Sequence, residues 1–191
     1  MQEEKSSYYV HPTAIVESEA VGEGTKIWHF AHVRRGSKIG SNCNIGKSVY
    51  IDIDAEIGDN VKVQNFVSVY KGVVIEDDVF VGPSATFTND LYPRAFIWDE
   101  SHVSATRICR GASIGANATI VCGITVGEYA MIGAGSVVAK DVPPFALMIG
   151  NPARLKGYVC YCGNRLTEDA AQSTCKCPAC GKIVNIKKSR Q

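Results

Sequence analysis

The chain has 191 residues, 46% of them hydrophobic and 20% charged, with a formal net charge of +1. That length suits one domain with a small appendage, and so even a charge balance argues against a broad nucleic-acid or membrane surface. No apolar run approaches the ~18 residues of a membrane span, and the opening residues MQEEKSSYYVHPTAIV carry no apolar stretch of a signal peptide, so a cytoplasmic protein is expected.

From residue 21 the chain is periodic. Val21, Ile27, Val33, Ile39, Ile45, Ile51, Ile57, Val63, Val69, Ile75 and Val81 stand six apart without a break. Ile15 precedes them in phase and Phe87 follows. Four places after the lead residue comes a small or β-branched one, as at Thr25, Ala31, Ser37, Cys43, Val49 and Ala55. A period of six fits neither a helix, which would smear these residues around its surface, nor one flat strand. It predicts short strands joined by tight corners, with the lead residue inward on each face and the small residue where the chain turns.

The period returns at Ile108, Ile114, Ile120, Val126, Ile132 and Val138, out of phase with the first block. Residues 88–107 are therefore expected to leave the coil as a loop. The hexads end near Pro143-Pro144. About six coils result, roughly 30 Å tall at ~4.8 Å per coil.

After residue 157 the character changes, dividing the chain into a coil domain, 1–157, and a module, 158–191. Five of the eight cysteines fall between Cys160 and Cys180. CxC and CxxC spacing in a chain without a signal peptide points to metal binding in a reducing compartment. Four thiolates make a closed tetrahedral zinc site, and Cys160, Cys162, Cys177 and Cys180 are the chosen set because CPACG is the better knuckle. Cys175 is then spare. Disulfides, free thiols and an iron–sulfur cluster remain as alternatives. So short a segment has little core of its own, so metal would be its main stabiliser.

Specific runs add a resemblance. Residues 64–73 (QNFVSVYKGV) and 76–83 (EDDVFVGP), Phe87-Thr88-Asn89, Pro93-Arg94, the run GASIGANATIV from Gly111, and Gly150-Asn151-Pro152-Ala153-Arg154 together resemble the hexapeptide-repeat nucleotide-sugar N-acetyltransferases. They are most similar to those acting on UDP-2-acetamido-3-amino-2,3-dideoxy-glucuronate in bacterial surface-polysaccharide (lipopolysaccharide) synthesis. The resemblance covers about residues 10–158. It implies a left-handed parallel β-helix, acetyl-CoA as co-substrate, and a homotrimer with active sites between prisms.

On that resemblance Asn89 lies beside the reacting amine, and Tyr70, Lys71 and Arg94 fall to the sugar nucleotide. Arg94 would pair with an acidic sugar's carboxylate. Ala112, Gly115, Ala118, Ala134 and Gly135 would let the pantetheine arm lie against the backbone. Arg154 and Lys156, just past the last coil, would meet the cofactor's phosphates. His29 and His32 are the candidate bases, although they fall on different faces or corners of one coil. Neither nucleic acid nor membrane is expected as a partner. Other acceptors, a hydroxyl among them, a γ-type carbonic anhydrase with three histidines on one zinc, and a non-enzymatic trimeric scaffold remain open.

Overall fold

The computed structural model describes residues 7–97, 99–166 and 174–186. Parts of the expected C-terminal module (167–173 and 187–191), loop residue Trp98 and the first six residues lie outside these. Among the described residues no helix is long and apolar enough to cross a membrane.

The chain winds as a parallel β-helix with three faces. Face A stacks eight parallel strands from Tyr9–Val10 to Ala146–Ile149, and the antiparallel strand Arg154–Tyr158 closes its edge. Face B carries seven strands and face C six. The coil is thus longer than the six turns expected, because residues 8–16 and 143–149 add turns that the strict hexads do not mark.

Lys62 lies opposite Asn44 on one side and Phe80 on the other, one eighteen-residue coil away in each direction. Lead residues point inward: Ile39 is 3% exposed, Ile57 4% and Ile114 0%. The small positions are also sealed, including Ala31, Ala55, Ala85 and Ala130. Where that position is polar, its hydroxyl is satisfied inside, as when Thr25 Oγ1 donates to the Gly40 carbonyl at 2.7 Å.

The first coil departs from the expected phase. Val16, not Ile15, stands opposite Val33, and Ile15 is 57% exposed. The coil here is one residue short, so the inward position passes to the neighbouring residue.

From Gly24 onward most corners are turned by a left-handed residue. Asn42, Asp54, Asn60, Asp78 and Asn117 fill many of these places, as their short polar side chains allow. Phe30 (φ 57°) and Phe66 (φ 62°) do the same on the corner between faces A and B, where a bulky side chain gains nothing from that backbone.

Phe80 on face A pairs with Ser113, thirty-three residues later instead of eighteen. The extra length is the loop at the corner between faces B and C. It ends earlier than expected: Thr106–Ile108 is already a face C strand paired with Val73–Ile75, so the excursion runs from about residue 89 to 105.

The C-terminal segment packs on the last coils. Phe145, Leu166, Val184 and Ile186 form a small core with Cys160 and Cys177. Tyr129 and Phe145 stack at 5.4 Å between centroids, and Tyr161 meets both edge-on at 4.6 and 4.9 Å. The strand Arg154–Tyr158 crosses the expected boundary at 157, so the module grows directly out of the coil's final strand.

Candidate active site and thiolate cluster

Asn89 sits at the neck of the loop, half-buried. Its carbonyl accepts from Ser104 N at 2.9 Å, and an antiparallel bridge between Asp90 and Val103 pins the neck. Beside it, Thr88 Oγ1 accepts from Cys122 N at 2.9 Å. The Asn89 side-chain amide makes no hydrogen bond among the described residues, which leaves both its donor and its acceptor for a ligand.

Tyr70 and Lys71 stand on the same corner one coil below, and Tyr70 meets Tyr50 edge-on at 6.1 Å. Lys71 Nζ bonds Glu100 at 3.1 Å and lies 3.9 Å from Asp54, so this lysine ties the loop to the coil, and its ion pair with Glu100 raises its pKa. Arg94 is at the exposed tip, its guanidinium donating, among the described residues, only to the Pro93 carbonyl. The tip is also apolar: Phe96 is 85% exposed and Tyr92 73%.

The two histidines do not join Asn89 within one chain. His32 lies on face B, under Tyr50 and Ser68, three coils from Thr86, about 14 Å away at ~4.8 Å per coil. Its Nε2 is 3.6 Å from Glu17 and has no hydrogen bond. His29 is on the other corner, stacked on His11 at 3.5 Å.

Sequence reading missed a network on face B. Arg34 donates to the Tyr50 hydroxyl at 3.1 Å, and that hydroxyl donates to Asp52 at 2.8 Å. Glu17 accepts from the Arg34 side chain and the Arg35 backbone. The eighteen-residue coil repeat would have aligned His32, Tyr50, Ser68 and Thr86 on one line running up towards Asn89.

The expected cofactor residues divide. Ala112 and Ala118 are 0% exposed in the coil's core and present no surface to a ligand; their smallness serves the corner. Gly115 is explained by stacking, since a Cβ there would lie 2.5 Å from Ala134 N. Ala134 and Gly135 form an exposed apex, and a Cβ on Gly135 would meet nothing. Arg154 lines a cavity of about 630 Å³ at the end of the prism, together with Lys140, Asp141, Met148 and Pro152. Lys156 is exposed nearby, its carbonyl accepting from Arg165.

The four chosen cysteines converge. Cys160, Cys162, Cys177 and Cys180 have all their sulfurs within 4.8 Å of one another. Cys160 and Cys180 lie 3.5 Å apart, Cys162 and Cys177 3.7 Å. A zinc tetrahedron with ~2.3 Å bonds needs edges of about 3.8 Å, so the set fits. The Asn164 backbone N–H and side-chain amide push the Cys162 thiol down to about 6, while burial pushes its neighbour Cys160 up to about 12, so without a metal the four sulfurs do not all ionise together. Cys175 is on the strand Thr174–Lys176 opposite Val184, outside the cluster.

The model of the bacterial transferase hexapeptide (six repeats) matches residues 20–52, 54–89 and 105–140. The chain belongs to the bacterial transferase hexapeptide family. As a hexapeptide transferase it is 48% identical, over 93% of its length and 92% of the relative's, to a dTDP-3-amino-3,6-dideoxy-α-D-galactopyranose 3-N-acetyltransferase from Aneurinibacillus thermoaerophilus. It is 31% identical to the bifunctional protein GlmU of Thermotoga maritima, matching with 72% of its own length but only 40% of that protein. Among solved structures it resembles a hexapeptide-repeat acetyltransferase of Vibrio cholerae complexed with acetyl-CoA, at 27% identity and a TM-score of 0.56, covering 64% of this chain and 70% of that one. The hexapeptide match breaks across the loop after Asn89 and stops at residue 140, so the repeats account for neither the apolar tip nor the thiolate cluster.

Proposed function

We propose that this acyltransferase moves the acetyl group of acetyl-CoA onto the amino group of a nucleotide-linked amino sugar, for bacterial surface polysaccharide in the cytoplasm. The observation that carries this is the 48% identity, across nearly the whole chain, to a nucleotide-sugar 3-N-acetyltransferase. In the reaction the amine nitrogen attacks the thioester carbonyl carbon, the oxyanion collapses, and the carbon–sulfur bond breaks. The amine loses a proton and CoA leaves as its thiol. An amine with a pKa near ~8 is partly neutral at pH 7, so positioning and oxyanion stabilisation matter more than a strong base. Asn89 holds the amine; His29 and His32 are the competing candidates for a base. Tyr70, Lys71 and Arg94 face the sugar nucleotide, Ala134 and Gly135 the pantetheine arm, and Arg154 and Lys156 the phosphates.

Two acceptors compete. Sequence resemblance favours UDP-2-acetamido-3-amino-2,3-dideoxy-glucuronate. A dTDP-linked 3-amino-3,6-dideoxyhexose is favoured by the named relative, whereas Arg94, its guanidinium free of carboxylates among the described residues, suits the acidic sugar. The working unit is a homotrimer, supported by the exposed Phe96 and Tyr92. One structural zinc per chain sits on Cys160, Cys162, Cys177 and Cys180, supported by their spacing. Incubating the protein with acetyl-CoA and each sugar nucleotide, and weighing the products, should show one acetyl group added to one of them. No acetylation of either by a protein that binds CoA overturns the amino-sugar assignment.

A further inference from the structure

The cavity at the end of the prism combines two features. Its size, about 630 Å³, is in the range of small-ligand sites. Its cations have no carboxylate partner: Lys140 and Arg154 make no ion pair among the described residues, Arg154 donating to the Ala153 carbonyl at 3.2 Å, whereas Arg34, Lys71, Arg107 and Arg110 are all paired with carboxylates. The one acid in the wall, Asp141, is engaged through Oδ1 with Thr125 N at 2.8 Å.

One wall of this cavity is Arg154 and Leu155, on an exposed edge strand. Arg154, Leu155 and Lys156 are exposed. The strand pairs on one side only, with Ala146–Ile149, and that pairing shifts register between Leu147 and Met148. Its start is tied to the coil, where Ala153 N donates to the Val137 carbonyl at 2.8 Å, and its far end is anchored in the C-terminal module. Val159 N donates to Phe145 O and Leu166 N to Tyr158 O, both within 2.9 Å. Arg165 reaches back to the Lys156 carbonyl. Cys160, the first thiolate, follows two residues after the strand. Among the described residues the anchor's buried apolar core has four non-cysteine members, Phe145, Leu166, Val184 and Ile186, with Tyr129 and Tyr158 packed against it, a small core to hold the module without a cross-link.

We propose that the metal on the four thiolates fixes the Arg154 strand and so completes a phosphate-binding cavity, making metal occupancy a control on affinity for the 3′-phosphate end of acetyl-CoA. This rests on the zinc and acetyl-CoA readings above and adds a coupling between them. Arg154 binds the phosphate directly with Lys140; the thiolates are positioning residues, acting through the strand.

The test compares the full-length protein loaded with zinc, stripped by a chelator, and reloaded. Binding of CoA and of 3′-dephospho-CoA is measured by calorimetry on each. The metal-loaded protein should prefer CoA by about tenfold, the scale of one charge-assisted contact. Stripping should abolish that preference while leaving 3′-dephospho-CoA binding and the β-sheet circular dichroism unchanged, and reloading should restore it. Arg154→Ala in the loaded protein should lose the same preference, and Arg154→Lys should keep part of it. If the stripped protein still prefers CoA, or loses both ligands equally, the coupling is wrong. Absence of zinc from the purified protein sinks the metal reading instead, and failure of the loaded protein to bind either ligand sinks the acetyl-CoA reading.

Discussion

Asn89 keeps an unspent amide at the neck of a pinned loop, while His32 and His29 stand three coils below and on another corner. If the substrate's amine arrives partly neutral, removing Asn89 costs positioning. Asn89→Ala should therefore lower kcat/KM by ~10²-fold, in the range of a lost positioning or oxyanion contact. His29→Asn and His32→Asn should stay within a few-fold of the parent and keep its pH–rate profile. A collapse in either histidine variant, beside a nearly normal Asn89→Ala, reverses the roles. Sequence pointed to Asn89 through the family resemblance of the Phe87-Thr88-Asn89 run, and the break in hexad phase put that run where the loop begins. It could not separate Ala112 and Ala118 from Ala134 and Gly135. All four suit a tight corner, and only the winding decides which of them reach the surface.

The corners are elements in their own right, held by ladders of acceptors on backbone amides. Asp59 accepts from Ser41 N, and Asp77 from Asp59 N, one coil apart. The Asp59 N–H and, after it, the Arg110 guanidinium hold the Asp77 carboxyl below its usual value. A carboxylate depressed in the folded state stabilises above its unfolded pKa of about 4, and the gain disappears as pH falls through the folded value. Asp77→Asn should lower stability at pH 7 by about 1 kcal/mol or less, since the pair is well solvated. Denaturant titrations at pH 7 and near pH 2 should show that difference and then its loss. A gap that persists at pH 2 would mean packing, not charge, is responsible. Strands and corners were legible because each obeys a rule six residues long. The short first coil was not, since Ile15 and Val16 are equally apolar and only pairing with Val33 chooses between them.

At the scale of the molecule, a prism with flat faces buries its apolar residues along one axis and offers few enclosed sites. What it leaves exposed is concentrated: Phe96 and Tyr92 at the loop tip, Phe30 and Phe66 on the A/B corner with Lys47 about 6 Å over both rings. Apolar groups so placed suit burial against other copies. Phe96→Glu should shift the proposed trimer towards monomer in sedimentation, and the proposed sugar acetylation should fall with it. A variant that remains trimeric would remove the loop tip from the interface.

By itself, the amino-acid sequence determined the coil, the point where the loop leaves it, and the four-cysteine set. Each is a local matter of spacing: inward aliphatics every six residues, a break in that phase, thiols one or two residues apart. The tertiary structure alone decided what winding brings together across distance. It buried Ala112 and Ala118, engaged Lys71 with Glu100, separated both histidines from Asn89, and hung the thiolate cluster from the strand that walls the Lys140–Arg154 cavity. Those outcomes depend on which residues lie a coil apart and which edge the last strand joins, and the hexad spacing carries neither.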